Sequence, residues 1–417
     1  MPTPTSPAPG QVFVTGTGRC GSTLVSELLR EHPRVLSLSE LFNHLTDMYR
    51  ITARVFPEGP LTAAEFWRIL SSRNSVNKLL TAHGLAPKEV LYRPAPTTRF
   101  QADTGVPAVL LTTLPHLTDT PDELYDELAA AVAEFPDAGV GQHYHRLFGW
   151  LCARFGKALW AERSGGSLIL ASQFREHFPD ARYLHIVRDG RDTALSMSRH
   201  TGFRMAAVVM ALHLTLGHDP YAEQAALDAE RDLGFVPEEL LPFLPERFDA
   251  AAVRDYRVPA SLFGTYWADE MQRGMAALSA LPRENVLHLW YEDLLAAPEE
   301  CLHRIGEFLG AEFVDADWVR RSAAKVGAPS SSWRELPAAE REELEQACAP
   351  GFSVLAAHGV VPLSGTAASG PRRLRRPRRR GVAHEGPVEP GRHGVADRAA
   401  QFRQDDAGAG AGQPPHP

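Results

Sequence analysis

A glycine-rich segment near the start of the chain has the residue types and spacing of a phosphate-binding loop. Residues 12–23 read Val-Phe-Val-Thr-Gly-Thr-Gly-Arg-Cys-Gly-Ser-Thr, an apolar strand followed by a turn and the start of an amphipathic helix. Successive backbone N–H groups in such a turn, together with the positive end of the helix, attract an anion. Glycines let a phosphate approach the backbone closely. Arg19 supplies a cation inside the turn, so we predict that this loop binds a phosphate group.

The loop fits two templates of nucleotide binding. Gly16-x-Gly18-x-x-Gly21 matches the dinucleotide fingerprint, and Gly16-x4-Gly21-Ser22-Thr23 matches a nucleotide triphosphate loop in which Ser22 replaces the lysine. The missing lysine argues against ordinary ATP or GTP hydrolysis. From the loop alone, four interpretations stay open: an NAD(P)-dependent oxidoreductase, a kinase-like P-loop enzyme, a non-catalytic nucleotide-binding protein and a plain strand-to-helix turn.

A second strand-to-helix turn carries further anion ligands. Residues 186–196 read Ile-Val-Arg-Asp-Gly-Arg-Asp-Thr-Ala-Leu-Ser. Arg188 leaves the end of a predicted strand as a bidentate phosphate ligand would, and the Ser196 hydroxyl follows on the next helix. Two phosphate sites indicate a ligand with two separated anionic groups. Taken alone, the segment also fits a surface turn in which Arg188 pairs with Asp189 or Asp192.

Glu40 is the candidate for proton transfer. It follows a short predicted strand, at the sheet edge where open α/β folds collect their ligand groups. A carboxylate there could take the proton of an attacking hydroxyl, which is typically worth about 10²–10⁴ in rate. The same carboxylate would also suit a helix cap or an ion pair with Arg19.

The elements that position these residues follow from hydrophobic periodicity and helix boundary signals. Strands that alternate with helices predict an α/β fold with its ligand groups at the carboxyl ends of the strands. We predict strands over 12–14, 35–38, 108–114, 181–187 and 286–290, and helices over 22–31, 63–85, 121–155, 167–178, 192–200 and 298–309.

The composition is that of an ordinary globular protein, with 417 residues, 44% of them hydrophobic and 23% charged. The net charge of -8 hides an asymmetry, because residues from Ser364 onward carry ten arginines against five acidic residues. The body is therefore acidic. This argues against nucleic acid as the main partner, since nucleic-acid backbones are held by clusters of lysine and arginine.

The two ends of the chain differ from its middle. Residues 1–10 lack the features of a signal peptide, and we predict a flexible leader. Residues 364–417 are rich in Arg, Gly and Pro without periodicity, which predicts a disordered tail, either a tag for anionic surfaces or a solvated segment. The folded domain is predicted over 11–363, with a helical insertion at 205–260 that we expect to cover the acceptor site.

The four cysteines lie far apart and form neither a disulfide framework nor a zinc spacing. No apolar run approaches the ~18 residues of a membrane span. We therefore expect a cytoplasmic protein.

Taken together, the two turns resemble those of the sulfotransferases that use 3′-phosphoadenosine 5′-phosphosulfate. Gly16–Thr23 is similar to the family's 5′-phosphosulfate loop, and Ile186–Ser196 is similar to its 3′-phosphate motif. The arginine form of the loop is similar to that of the tyrosylprotein sulfotransferases and of many bacterial sulfotransferases. The resemblance spans about residues 11–355. It includes Trp160-Ala-Glu-Arg163, Trp290-Tyr-Glu-Asp-Leu294 and Val326-Gly-Ala-Pro-Ser-Ser-Ser-Trp333.

The resemblance implies a role for each matching residue. Arg19 would contact the 5′-phosphate and the sulfuryl group, while Arg188 and Ser196 would bind the 3′-phosphate. Arg163 falls where the tyrosylprotein enzymes have a catalytic lysine, and an arginine there can stabilise charge but does not release a proton at neutral pH. The implied donor site is completed by Gly18, Cys20, Gly21, Ser22, Thr23, Tyr291, Ser332 and Trp333.

The same resemblance supports Glu40 as the base. It lies 21 residues after Arg19, the spacing at which the similar tyrosylprotein enzymes place a glutamate base. Other sulfotransferases use a histidine, which keeps His116, His143 and His145 as alternatives. Cys20 stands where relatives usually carry serine. At a helix N-terminus we expect a lowered thiol pKa, and the alternative is a small side chain that simply fits the turn.

The fold implied by the resemblance is a P-loop-like three-layer sandwich with a central, mostly parallel sheet and helical insertions over the active site. The implied reaction moves a sulfuryl group, without a metal, to a hydroxyl or amine of a small-molecule, carbohydrate or natural-product acceptor. The sequence identifies neither that acceptor nor the oligomeric state.

Overall fold

The computed structural model describes residues 10–46, 55–221, 234–327 and 332–363. These residues form two compact units, one of residues 10–200 and 259–363 and one of residues 201–258. The predicted tail and the predicted leader lie outside the described residues, except that Gly10 already belongs to the first strand.

The first unit is built on a parallel five-stranded sheet. From one edge to the other its strands follow the order β2-β5-β1-β6-β7, so the glycine-rich loop leaves the central strand. A separate two-stranded antiparallel pair, β3 with β4, lies outside this sheet. In chain order the strands are β1 (Gly10–Thr15), β2 (Val35–Ser39), β3 (Pro60–Leu61), β4 (Ala138–Gly139), β5 (Leu159–Arg163), β6 (Arg182–Val187) and β7 (Val286–Trp290).

The helices of the first unit cover both faces of the sheet. They are α1 (Ser22–Arg30), α2 (Leu41–Leu45), α3 (Ala63–Leu70), α4 (Ser75–Ala82), α5 (Ala108–Leu111), α6 (Thr113–Leu117), α7 (Pro121–Ala133), α8 (Val140–Phe155), α9 (Ala171–His177) and α10 (Gly190–Arg199). After the second unit, which holds α11 (Thr201–Leu216) and α12 (Ala250–Asp255), follow α13 (Ala260–Leu278), α14 (Tyr291–Ala296), α15 (Pro298–Leu309), α16 (Ala316–Ala323) and α17 (Ala338–Ala357).

Alternate residues of each strand point to opposite faces, and each face has its own core. On one face, Val12 and Val14 join an aliphatic cluster with α1, α15 and α16. On the other face, Phe13 stacks on Phe174 with ring centroids 4.0 Å apart and meets Trp160 edge to face. Helices on both faces of a mostly parallel sheet make the unit an α/β three-layer sandwich, as predicted.

The second unit is helical where it is described. Besides α11 and α12 it contains two short 3-10 segments, at Glu238–Phe243 and Pro245–Arg247. The Arg204 guanidinium donates to the carbonyl of Tyr256 at 2.7 Å, which connects the two helical ends of the unit. Residues 222–233 of the predicted insertion lie outside the described part of the chain.

Three predicted elements differ from the structure. The segment 108–114, predicted as a strand, forms helices α5 and α6. All four residues of α5 are buried, so the segment has no amphipathic period, and a short buried apolar run fits a strand or a helix equally well. The segments 63–85 and 121–155 are helical as predicted, but each is two helices. Residues 71–74 separate α3 from α4, and β4 separates α7 from α8.

The first and second strands, the strands at 182–187 and 286–290, and the helix at 298–309 match their predictions to within two residues at each end. None of the helices in the described part of the chain has both the length and the apolar character needed to cross a membrane.

Candidate active site

The polar residues singled out in the sequence lie at the carboxyl edge of the sheet. Because the five strands are parallel, the residues that follow them meet at one edge. Ser39 pairs in register with Arg163, so Glu40, the next residue, lies beside the end of β5. Val187 pairs with Trp290 in the same way. The sheet order therefore brings together segments that are more than a hundred residues apart.

The loop between β1 and α1 has a strained, open backbone. Gly18, Arg19 and Gly21 all have positive φ, at 73°, 51° and 91°. A left-handed conformation is uncommon for a residue with a side chain, and such residues concentrate at functional sites. Among the described residues no side chain caps α1. The N–H groups of its first turn therefore keep their capacity to bind an anion.

Arg19 connects the two predicted phosphate-binding segments. Its Nε donates to the Ser196 hydroxyl at 3.3 Å, and its backbone carbonyl accepts from Nη1 of Arg188 at 3.1 Å. Arg188 in turn lies over the ring of Tyr291, with its Cζ 5.1 Å from the ring centroid. Three of the predicted donor ligands are thus in direct contact, and the alternative pairing of Arg188 with Asp189 or Asp192 is wrong.

Gly21 is where the loop comes closest to another element. A Cβ added there would lie 2.2 Å from Cδ2 of Tyr291. The ring of Tyr291, the first residue of α14, therefore packs directly on the backbone of the loop. This contact and the positive φ explain why the position requires glycine.

Glu40 and Arg163, the predicted base and its cationic neighbour, form a buried ion pair. Nη1 of Arg163 contacts Oε1 of Glu40, and each side chain is only 4% exposed. The second carboxylate oxygen accepts from the backbone N–H of Gly165 at 3.0 Å, and Nη2 of Arg163 donates to Ser39 Oγ at 3.0 Å. Glu40 has φ 59° at the start of α2 but makes no side-chain cap. The alternatives of a helix cap and of a pair with Arg19 are therefore wrong.

A second carboxyl group, Glu162, is buried beside this pair. Its Oε1 accepts from the Ser164 hydroxyl at 2.6 Å, and Ser164 Oγ accepts from the backbone N–H of Asn43. Burial raises the pKa of Glu162 to about 8, since the hydrogen bond from Ser164 and the charge of Arg163 offset only part of the lost hydration. Glu162 is therefore largely protonated at neutral pH.

The carboxylate that pairs with Arg19 is Glu89, which the sequence analysis did not identify. Nη1 of Arg19 lies 2.6 Å from Glu89 Oε1, and His200 Nε2 lies 3.2 Å from Glu89 Oε2. Burial opposes the ionisation of Glu89, but the hydrogen bond and charge of His200 and the charge of Arg19 outweigh it and lower its pKa to about 2. Nothing in the local sequence around Glu89 marks it, because its partners are 70 and 111 residues away.

The backbone carbonyl of Glu89 is held by a chain of two hydrogen bonds through Thr112 and His44. The Thr112 hydroxyl donates to the Glu89 carbonyl at 2.6 Å and lies 2.7 Å from Nε2 of His44. A hydroxyl has one proton, so His44 is the donor in its contact with Thr112. Burial lowers the pKa of His44 to about 4, which keeps the ring neutral.

Cys20 differs from its prediction. The side chain is fully buried, and a Cβ at Gly16 would lie 2.5 Å from its sulfur. Burial raises the pKa of the Cys20 thiol, and the hydrogen bonds with Ser22 and the charge of Arg163 reverse only part of this effect. The expected lowered pKa is therefore wrong, because the thiol faces the core rather than the anion site.

Two of the three alternative histidines hydrogen-bond to backbone carbonyls outside the loop. His143 Nε2 lies 2.8 Å from the carbonyl of Leu61, and His145 Nε2 lies 3.3 Å from that of His177. His116 faces Glu27, and burial lowers its pKa to about 3.

The remaining predicted donor residues differ in exposure. Ser22 is buried and Thr23 is exposed at the start of α1. Ser332 Oγ accepts from the N–H of Arg334, and the Trp333 N–H donates to Asp192. The ring of Trp333 is buried beneath Arg191, whose Cζ is 4.1 Å from its centroid. Residues 328–331 of this segment lie outside the described residues.

Within the second turn, the side chain of Arg191 is paired with Asp189. Two hydrogen bonds of 3.0 and 2.7 Å join Nε and Nη2 to the two carboxylate oxygens. Asp189 also accepts from the Arg191 N–H, while its own N–H donates to Glu292 Oε1. Arg191 is thus a structural cation, which leaves Arg188 as the arginine of this turn that faces Arg19.

The arrangement can bind an anion on two sides. Open N–H groups, Arg19, Arg188 and the Ser196 hydroxyl converge at the carboxyl edge of the sheet, with the Glu40–Arg163 pair beside them. Within the described ranges, no group of three or more His, Cys, Asp or Glu side chains is arranged to hold a metal ion.

Comparison with known proteins agrees with the resemblance in sequence. The model of the sulfotransferase family named Sulfotransfer_3 matches residues 9–232 and 247–315. Comparison with curated protein sequences gives no significant match.

Several solved structures are similar to this chain. They include the sulfotransferase domain of the Synechococcus PCC 7002 olefin synthase, with 17% identity over 83% of this chain and 95% of that one, TM-score 0.37. Sulfotransferase STF9 from Mycobacterium avium has 16% identity over 85% and 76%, TM-score 0.36. A sulfotransferase from Alicyclobacillus acidocaldarius has 17% identity over 85% and 98%, TM-score 0.35.

Proposed function

The chain belongs to the sulfotransferase family, and we propose that it transfers a sulfuryl group from 3′-phosphoadenosine 5′-phosphosulfate to an acceptor hydroxyl or amine. The observation that carries the proposal is the direct contact of Arg19 with both Ser196 and Arg188. This contact brings together the two turns that we propose bind anions, which supports a donor with two separated phosphate groups.

The donor would be held by the loop and the second turn. The N–H groups around Gly21 and Thr23, with Arg19, would bind the 5′ side, with Gly18, Cys20 and Ser22 contributing backbone to the turn. Arg188 and Ser196 would bind the 3′-phosphate, since an arginine and a hydroxyl are well matched to phosphate oxygens. Tyr291 supports the loop by packing on Gly21. Ser332 and Trp333 stay proposed as parts of the nucleotide side.

The chemical step needs charge stabilisation and a base. Transfer leaves negative charge on the departing phosphate, which Arg19, Arg163 and the loop N–H groups would stabilise. We assign the base role to Glu40. Its carboxylate has two hydrogen-bond donors, Arg163 on Oε1 and Gly165 on Oε2, and each oxygen keeps a second lone pair that can accept a proton. No metal is needed in this proposal, because arginines supply the positive charge.

The acceptor is proposed to be a small molecule, a carbohydrate or a natural product, and the acidic body makes a polyanionic polymer a poor fit. A cytoplasmic location is proposed from the cysteines. All four are free and buried, as suits a reducing compartment.

The proposal is tested by binding and by product formation. Isothermal titration with adenosine 3′,5′-bisphosphate should give binding that NAD, NADP and ATP do not match. Host extracts incubated with the donor and wild-type protein should contain a molecule heavier by one SO₃ group that is missing with Glu40→Gln protein. Binding of NAD(P) alone would overturn the proposal in favour of an oxidoreductase.

A matched comparison tests the base. Glu40→Gln should keep donor affinity and lose transfer, whereas Arg19→Ala should weaken donor binding as well as lose transfer. If Glu40→Gln retains activity, the base is another residue and the donor assignment still stands.

A further inference from the structure

We propose that Glu89 is a competing internal anion: its carboxylate occupies the place on Arg19 that the 5′-phosphosulfate of the donor takes, and the donor must displace it. The inference rests on the proposed function, because it names what the donor competes with. It concerns a residue that no motif in the sequence marks.

The contacts of Arg19 support this assignment. Its Nε and its carbonyl contact Ser196 and Arg188, the groups of the other phosphate-binding turn. Its Nη1 contacts the Glu89 carboxylate at 2.6 Å. A carboxylate presents oxygens to a guanidinium in the same way as a phosphate or sulfuryl group does. Within the part of the chain that the structure describes, this is the one carboxylate within ion-pair distance of Arg19.

The pair is exposed enough to be exchanged. The side chains of Arg19 and Glu89 are 32% and 23% exposed. An ion pair that solvent still reaches is weak, so an incoming dianion can replace this one. The Glu40–Arg163 pair differs, because both partners are buried and separating them would leave an uncompensated charge.

Glu89 is also held in place on its other sides. Its carbonyl accepts from Thr112, and the N–H of Leu91 donates to the carbonyl of Leu111 at 2.8 Å, which fixes the segment on α5. Its Oε2 keeps the contact with His200. The carboxylate can therefore leave Arg19 without losing every partner, and its lowered pKa keeps it ionised at neutral pH.

The two roles that Glu89 could have predict opposite signs. If Glu89 only positions Arg19, its removal disorders the guanidinium and weakens donor binding. If it competes with the donor, its removal frees Arg19 and tightens binding.

The test is isothermal titration of adenosine 3′,5′-bisphosphate into wild type and Glu89→Gln, which keeps the shape and removes the charge. We expect about two- to fivefold tighter binding, the equivalent of an exposed ion pair. Glu127→Gln is the matched control, because Glu127 also pairs with an arginine at 2.6 Å, Arg154, on helices α7 and α8 that carry none of the proposed donor ligands. It should leave the affinity unchanged.

A double-mutant cycle tests whether the gain in affinity depends on Arg19. In an Arg19→Gln background, Glu89→Gln should give no gain, because there is no cation left to free. Glu89→Asp, which shortens the side chain and keeps its charge, should also tighten binding and serves if Glu89→Gln does not fold.

Equal or weaker binding by the Glu89 variants, with wild type binding normally, would overturn the inference and leave the proposed function intact. A gain of the same size in the Arg19→Gln background would also overturn it. If neither wild type nor Glu89→Gln binds the nucleotide, the proposed function fails together with the inference.

Discussion

Arg19 and Ser196 are 177 positions apart in the chain, and the Nε of one donates to the hydroxyl of the other at 3.3 Å. The contact spans from the loop after β1 to helix α10, which follows β6. These two strands are neighbours in the sheet. The two turns that we propose bind the donor therefore lie side by side, and a change in either should affect the binding of the same ligand.

The first prediction concerns the second turn. Arg188→Ala should weaken the binding of adenosine 3′,5′-bisphosphate by roughly 10- to 150-fold, because a hydrogen bond to a charged group contributes about 1.5–3 kcal/mol. Ser196→Ala should have a smaller effect of the same sign. Isothermal titration measures both. Arg154→Ala, which removes an exposed arginine from α8, is the control, and an unchanged affinity in Arg188→Ala would contradict the assignment.

The second prediction uses two glycines with positive φ. Gly21→Ala should destabilise the protein more than Gly84→Ala does, although both positions are left-handed, at 91° and 68°. A Cβ at Gly84 meets nothing within 4 Å, whereas at Gly21 it meets Tyr291 at 2.2 Å. Gly84→Ala should cost only the backbone strain, about 1–2 kcal/mol.

Urea unfolding of the two glycine variants gives the comparison, and Gly21→Ala should also lose nucleotide binding. Equal losses of stability would show that the ring of Tyr291 moves aside freely.

The third prediction concerns the buried pair of Glu40 and Arg163. Arg163→Met alone should cost about 3–5 kcal/mol of unfolding free energy, because it leaves the Glu40 charge buried without its partner. The double variant Glu40→Gln/Arg163→Met should recover much of this loss, since neither remaining side chain is charged.

Unfolding in urea measures this coupling, and the exposed pair Glu127–Arg154 provides the reference. There the single change Arg154→Met should cost less than about 1 kcal/mol. A coupling in the Glu40–Arg163 pair as small as that of the surface pair would contradict its burial.

The fourth prediction concerns pH. The pKa of Glu162 is raised from about 4.3 in an unfolded chain to about 8 in the folded protein. Between these values the folded state binds more protons, so this group lowers stability as pH rises, by up to about 1.4 kcal/mol per pH unit. Below the lower value the contribution is constant and fully favourable.

Glu162→Gln removes this pH-dependent contribution to stability, because an amide does not titrate. The melting temperature of the variant relative to wild type should therefore rise as pH increases from 5 to about 8. Glu284→Gln, which neutralises an exposed carboxylate, is the control and should show no such trend. A pH-independent difference for Glu162→Gln would contradict the raised pKa.

The local features of the site follow from the sequence alone. The strand, glycine turn and helix at 10–30 and the strand and helix around Arg188 each depend on contacts between residues close in the chain. Periodicity and glycine content report such contacts directly. The prediction of a strand at 108–114 was wrong, because a buried apolar run carries no period that separates a strand from a helix.

The partners of the charged residues depend on the tertiary structure. The sequence pointed to Glu40, Arg19 and Arg163 as site residues, and left Glu40 a possible partner for Arg19. The sheet order places β2 beside β5, so Glu40 forms its ion pair with Arg163. Arg19 pairs instead with Glu89. Ion pairs form between whichever charges the packing of distant elements brings within a few ångströms, and no local pattern in the chain records that distance.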